Sequence, residues 1–438
     1  MEPWIPLTLT VRTPMFLAAR PGGPAEMRIP SLRGVARFWF RALAAPVFET
    51  ATNTDYLGLA RAEAQVFGAA RQLVQGTETG GPSRVVFRLR QPPNPNQKVT
   101  PDWLTAEPAR DHDRPVHGIG YLLGQGFFQP SGSLTCPSHF APGAEGAIDV
   151  RVVPGGPGSG PDAGYLREVA GISLWAASTF GGLGARTRRG FGGFSLAGLD
   201  ALSPTLTGTP RPSRHHNAIR RLQDLVASRH APGWEPPPEL PALAALGTGA
   251  GPWPEAPTWS RWHVYTSTST VGLSSLLSTV GRELRAFRAP VDRPGKDRHK
   301  RYVTREYGNA LLPVTAGNSP ADPTVRIASF GLPLLFGTKG SINLVDLADD
   351  DKPLRRASPL WIRIHPAGDG RYHLLCHVFE ARIGPAGSTV RIKAGSNRHT
   401  VTLDEATAYS TIAAFLQTPA LNLTWHTKPH PAPTRQGN

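Results

Sequence analysis

Cysteine is nearly absent from this 438-residue chain: Cys136 and Cys376 are its only two, and they stand far apart. A disulfide framework and a cysteine-based zinc site of the usual spacing are both excluded. Lysine is scarce as well; of 47 basic residues only seven are lysine and the rest are arginine. No apolar run approaches the ~18 residues of a membrane span. The opening MEPWIPLTLT has no basic stretch followed by an apolar core, so no signal peptide is expected. Acidic residues number 32 against those 47, leaving a formal charge of +15. A reducing cytoplasm and a polyanionic partner fit these absences. Arginine suits phosphate because its planar fork binds two oxygens at once. The same abundance of Ala, Gly, Pro and Arg also fits a GC-rich coding sequence.

What is present points to two domains, since 438 residues exceed one ordinary core. Residues 5–11 alternate, with Ile5, Leu7, Leu9 and Val11 on one face, a half-buried strand. From Ser31, a good N-cap, Leu32, Val35, Ala36, Trp39 and Leu43 share one helical face. Arg33, Arg37 and Arg41 form a second row at i, i+4 and i+8, with no acid placed to neutralise it within that helix. Residues 62–68 read as a short helix stopped by Gly68. Residues 85–90 and 148–153 alternate as strands, and 165–180 follow helical spacing with Gly181 placed to end the helix. Residues 194–198 supply a last short strand. Strand, helix, strand, strand, helix, strand is the ferredoxin-like order, an antiparallel sheet with helices on one face.

Eleven prolines between 204 and 257 mark a boundary, so the expected division is 1–200, a Pro-rich linker 201–260, and a second domain 261–438. A helix at 217–229 is compatible with that linker. In the second half, Leu273, Leu276, Leu277, Val280, Leu284 and Phe287 line one helical face. Residues 282–305 hold nine basic residues against three acids. Residues 360–364 and 372–379 read as strands and 405–417 as a final helix. No close internal sequence repeat is evident.

The most distinctive stretch is 181–194, GGLGARTRRGFGGF, with six glycines around three arginines. Such a loop can lay backbone against a polyanion and hold guanidinium groups at phosphate spacing. It fails the dinucleotide fingerprint, because Thr187 stands where glycine is required and the loop follows a helix. No P-loop and no HExxH helix exist. His215 and His216 are adjacent and would point apart on a regular element, so they are read as exposed loop residues. Asp346 and Asp349–Asp351 are the only acidic cluster, read as a solvated loop rather than a magnesium site. No metal or cofactor is expected.

The strand ending in Thr13-Pro14, then residues 26–30, then Ser31–Arg41 resemble the opening of RAMP-superfamily proteins of CRISPR systems. Within that family the likeness is to the tandem-RAMP subunits of type III-B (Cmr) effectors. Residues 62–68 resemble the following segment ending in Phe-Gly, and 182–192 resembles the family's glycine-rich loop, between the last helix and last strand of the first domain. Residues 330–333 and 355–360 fit loosely. The resemblance implies an α+β chain with two ferredoxin-like (RRM-like) domains in tandem and RNA binding without nuclease activity. It implies guide and target RNA and other Cmr subunits as partners. The RNA-contact candidates carried over are Arg28, Arg33, Arg37, Arg41, Gly182, Gly184, Arg186, Thr187, Arg188, Arg189 and Gly190. Helix row and loop are expected to form one RNA-backbone track, the usual RRM stacking sequence being absent from the strands. Two alternatives stand beside this: an endoribonuclease of the same fold, and a mainly structural capping subunit.

Overall fold

The alternation at 5–11 becomes strand β1 (Ile5–Val11), whose Leu7, Leu9 and Val11 are buried. In the computed structural model described here, the described residues are 2–96, 118–124, 136–207, 212–235, 261–288, 307–321, 329–346, 353–385 and 388–425, apart from short breaks, with Trp103, Phe127, Pro257 and Thr258 besides. After β1 come α1 (Ile29–Ala44), α2 (Tyr56–Phe67), β2 (Val85–Gln91), the short α3 (Gly118–Leu123), β3 (Glu145–Val152), α4 (Ala163–Thr179), β4 (Phe194–Ala197) and α5 (Pro212–His230). The sheet order is β2-β3-β1-β4, every pair antiparallel. With α1 and α4 as its crossovers, this is the ferredoxin-like arrangement.

Local chemistry shifts some element ends. Helix α1 begins two residues before the expected Ser31 cap, with extended Arg28 at the N-cap and Pro30 in the first turn. Proline carries no N–H and has its φ preset, so it opens a helix without a side-chain cap. Asp162 and Asp55 do cap α4 and α2, accepting from the Tyr165 N–H (2.9 Å) and the Gly58 N–H (2.8 Å). Helix α4 ends just before Gly181, as expected, though without a left-handed residue there; a Cβ at Gly181 would run into the Trp39 indole nitrogen, so the glycine is needed for close approach. The helix foreseen at 217–229 spans 212–230 and packs Ala218, Ile219, Leu222 and Val226 into the first core. His215 and His216 lie on this helix rather than on a loop.

The second half repeats the topology. Strand β5 (Trp262–Ser267), helix α6 (Leu273–Arg288), strands β6 (Ser341–Val345), β7 (Leu360–Gly368), β8 (Arg371–Phe379), β9 (Thr389–Ala394) and β10 (Asn397–Thr402), helix α7 (Glu405–Leu416) and strand β11 (Leu423–Trp425) follow in turn. Antiparallel pairing gives the order β7-β8-β5-β11, the same as in the first sheet. Two insertions, one before β7 and one after β8, meet to form a third sheet of β6, β9 and β10 with its own small core.

The second sheet is buried on both faces. Leu360, Ile362 and Ile364 of β7 and Leu374, Cys376 and Val378 of β8 join the core under α6 and α7. The intervening side chains face the first unit: Trp262, Val264, Leu375 and Phe379 join the core that holds Trp39, Phe180 and β1. The layers therefore run sheet, helices, sheet, helices. Helix α4 lies between two sheets, which explains why nearly every residue from Tyr165 to Thr179 is buried.

The joint is made at the C-terminus of α4. Its last carbonyls have no partner within the helix. Arg363 donates to the Ser178 carbonyl (3.2 Å), His365 to that of Thr179, and His377 Nε2 to that of Phe180 (2.8 Å). All three donors come from β7 and β8. His377 Nδ1 in turn accepts from the Trp262 indole (3.0 Å), which fixes the imidazole as neutral. Arg363 is fully buried, with Nε and one amino group lacking hydrogen bonds, and burial pushes its pKa down to about 9. The negative end of the α4 dipole offsets part of that cost.

Burial, and secondarily the nearby Arg363 and Arg188 charges, push His377 down to about 3 from an ordinary 6.5. Between those values the unfolded chain takes up a proton that the folded chain refuses. The contribution is complete above pH 6.5 and is lost as the pH falls toward 3, at up to ~1.4 kcal/mol per pH unit. His139 and His230 are shifted the same way, chiefly by burial. Urea-unfolding midpoints at neutral and mildly acid pH measure the effect, and His377→Gln is expected to flatten the dependence.

Candidate nucleic-acid interface

Residues 181–194 are held on every side rather than standing open. The Ala185 N–H donates to the Phe16 carbonyl (2.8 Å), Gly192 to Pro14 (2.9 Å), and Gly193 to the Thr13 hydroxyl (2.7 Å). Toward the second unit, the Gly190 N–H donates to the Ile362 carbonyl (2.8 Å) and the Ile362 N–H to the Arg188 carbonyl (3.1 Å). The loop thus pairs with the outer edge of β7. Gly190 has φ +87°, and a Cβ there would come within 3.0 Å of Leu277. Its glycine therefore serves the turn and the contact between units. Gly184, at φ +89°, lies against the Phe16 carbonyl in the same way.

Of the three loop arginines, Arg188 reaches across the joint, while Arg186 and Arg189 bond to the end of α3. Arg186, itself at φ +63°, donates from Nε to the Leu123 carbonyl (2.5 Å) and lies 5.4 Å from the Phe127 ring. Arg188 donates to the Ser358 carbonyl and stacks 4.3 Å over the Trp361 ring. Arg189 donates to the Leu122 carbonyl (3.5 Å). With Arg288, the last residue of α6, and Arg356, they line a cleft of about 360 Å³ walled by Phe330, Gly331 and Ser358. No carboxylate is among its described lining residues. Burial pushes Arg188 and Arg189 down to about 10, helped by Arg356 in one case and by Arg288 and Arg186 in the other. Both remain charged at neutral pH. Half-buried like charges that oppose one another in this way are relieved by an anion.

Arg288 and Arg356 were not among the sequence candidates. Arg288 lay in the basic run 282–305, and Arg356 in the loosely matching 355–360. The helical row lies elsewhere. Glu63 of α2, buried, accepts from Arg37 Nε (2.5 Å) and Arg41 (2.6 Å), so the acid that neutralises the row comes from a different helix. Arg33 has its Nε buried without a hydrogen-bond partner. Neither these three nor Arg28 lines the cleft, so row and loop do not share one cavity. Instead α1 turns Ser31, Gly34, Val35 and Phe38 toward the loop, where with Gly182, Gly184, Thr187 and Trp361 they line a second cavity of about 320 Å³.

Cys136 Sγ lies 3.5 Å from His139 Nδ1, but burial pushes the thiol up to about 12 and the imidazole down, the reverse of an activated pair. Among the described residues no group of three or more His, Cys, Asp or Glu is placed to hold a metal. Asp349–Asp351 lie outside the described residues. No helix among the described residues is long and apolar enough to cross a membrane.

The RAMP superfamily model matches residues 8–195, from β1 through the glycine-arginine loop to β4. The first half of the chain is thus similar to RAMP-superfamily domains. A Cmr subunit of a CRISPR system from Pyrococcus furiosus, Cmr1-1, is 28% identical over 171 residues, 39% of this chain and 40% of the relative. The match thus spans two-fifths of that relative's length. The crystal structure of apo Cmr1 from the same organism superposes with a TM-score of 0.52 at 18% identity, covering 97% of this chain and 98% of that one. The two units together therefore have a fold like that of this Cmr1 structure. A chain of a type III-B Cmr-beta complex, solved with cognate target RNA, gives a TM-score of 0.47 at 12% identity, covering 96% of this chain and all of that one.

The role of Glu63 is testable. Glu63→Ala leaves Arg37 and Arg41 without their shared carboxylate and is expected to cost roughly 1.5–3 kcal/mol of stability, read from chemical denaturation, whereas Arg33→Ala is expected to cost less.

Proposed function

We propose that this chain is a non-catalytic RNA-binding subunit of a type III-B-like CRISPR ribonucleoprotein, working in the cytoplasm and holding guide or target RNA beside other Cmr subunits. The observation that carries the reading is the cleft of five arginines with no described carboxylate on its walls. The likeness to a Cmr subunit supports the assembly. Arg186, Arg188, Arg189, Arg288 and Arg356 are the proposed phosphate contacts, with Thr187 and Gly190 shaping the wall. Gly182 and Gly184 act by letting the loop pack, and Arg28, Arg33, Arg37 and Arg41 are at most outlying contacts. Such contacts go to phosphate and fix register, while sequence is read by pairing with the complementary strand. No cofactor is required.

Single-stranded RNA binding is expected to weaken steeply with salt, with a log–log slope of about −0.7 for each phosphate neutralised. Arg288→Gln and Arg356→Gln keep a polar side chain and leave the loop's cross-joint bonds in place. Each is expected to make the slope shallower by about 0.7. The RNA is expected to be recovered uncut with and without Mg²⁺. Unchanged slopes in both variants would remove the cleft from the RNA path, and specific cleavage would favour the nuclease reading.

A further inference from the structure

The two cavities beside the glycine-arginine loop meet at Thr187, which lines both. One is walled by arginines. The other is walled by Phe38 and Trp361, whose rings stand 5.6 Å apart with a 36° tilt, and by Val35, with the Ser31 and Thr187 hydroxyls among its lining. Trp361 ties them together, because Arg188 of the cationic cleft lies 4.3 Å from its ring. No charged side chain is among the described lining of this second cavity.

We infer that the second cavity receives one unstacked base of the RNA whose backbone phosphate lies in the arginine cleft. This rests on the RNA reading proposed above and adds a base-binding position to it. The physical case is complementarity on both sides of Thr187. A nucleotide is a dianionic or monoanionic phosphate joined through a sugar to a flat aromatic ring. Here a cationic recess abuts an aromatic one of comparable size. Arg188 and the stacked His377 ring already lie on Trp361, so stacking falls to Phe38, and it tolerates any base because every base has a π-face. The hydroxyls of Ser31 and Thr187 add donors and acceptors for a base edge. An apolar side chain of a neighbouring protein would use the aromatic walls but not the cationic recess beside them, so the charge favours a nucleotide.

The pocket can be closed without disturbing the core. Gly34 lies on the exposed side of α1, and a Cβ built on it meets nothing within 4 Å. Gly34→Leu therefore projects into open space and improves helix propensity. Phe38→Ala removes one aromatic wall. Both variants are compared with the wild type by equilibrium binding to a single-stranded oligoribonucleotide and to an abasic ribose-phosphate polymer of the same length, at two salt concentrations, after thermal unfolding has shown them folded. The wild type is expected to prefer the base-bearing RNA. Each variant is expected to bind that RNA roughly tenfold more weakly, the effect of one stacked base, with unchanged salt slope and unchanged affinity for the abasic polymer. Variants that bind RNA like the wild type, or that lose both polymers equally, overturn the base pocket and leave the arginine cleft standing. A wild type that holds neither polymer overturns the RNA reading, and the pocket with it.

Discussion

The structure turns on how the last turn of α4 is satisfied. A helix end buried between two sheets has carbonyls that water cannot reach, and each one left unpaired costs on the order of 1–3 kcal/mol. Here Arg363, His365 and His377 supply the donors, and all three stand on the neighbouring sheet. That requirement explains a fully buried arginine and a fully buried histidine in a strand pair that otherwise reads as apolar. It also fixes the register of one unit against the other, since the next residues to emerge from α4 are those of the glycine-arginine loop. The loop then pairs with the edge of the same strand.

This docking decides which surfaces are left for a ligand. In a free-standing RRM-like domain the exposed sheet face is the usual platform for bases. In the second unit that face is covered by α1 and α4, and Trp262 and Phe379 are buried in the shared core. In its place stands the seam, where the arginines meet on one side of Thr187 and the aromatic rings on the other. The chemistry that other domains of this topology display on a sheet is here gathered at a joint.

Much of the fold was legible in the sequence because periodicity is a local signal. Strand β1, helix α4 and the strand after the loop fell where alternation and helical spacing put them, and the strand-helix order implied the observed sheet. The role of the loop arginines was not legible, and the reason is physical. Their partners are the backbone carbonyls of Leu122, Leu123 and Ser358, and every residue type presents a carbonyl. No side-chain pattern marks such a bond. Glu63 escaped notice for a related reason: it lies 26 residues from Arg37 and on another helix, so no i, i+4 rule could join them. The row at 33, 37 and 41 looked like one surface with the loop because α1 lies near it, but Arg37 and Arg41 turn to Glu63 of α2 while Ser31, Gly34, Val35 and Phe38 turn to the loop.

The bonds that cap α4 have a consequence for the order in which the chain is made. Arg363 and Ser178 are separated by 185 residues, and Arg188 and Ser358 by 170. On a ribosome adding roughly 5–20 residues per second, all strands of the first sheet have emerged many seconds before the first residue of β7. Throughout that interval the first unit carries an uncapped helix end and the bare aromatic face around Trp39. The nascent first half is thus complete in topology and incomplete in solvation until its twin arrives. The exposed interval belongs to translation, and it makes the early chain a natural client for whatever shields apolar surface at the ribosome.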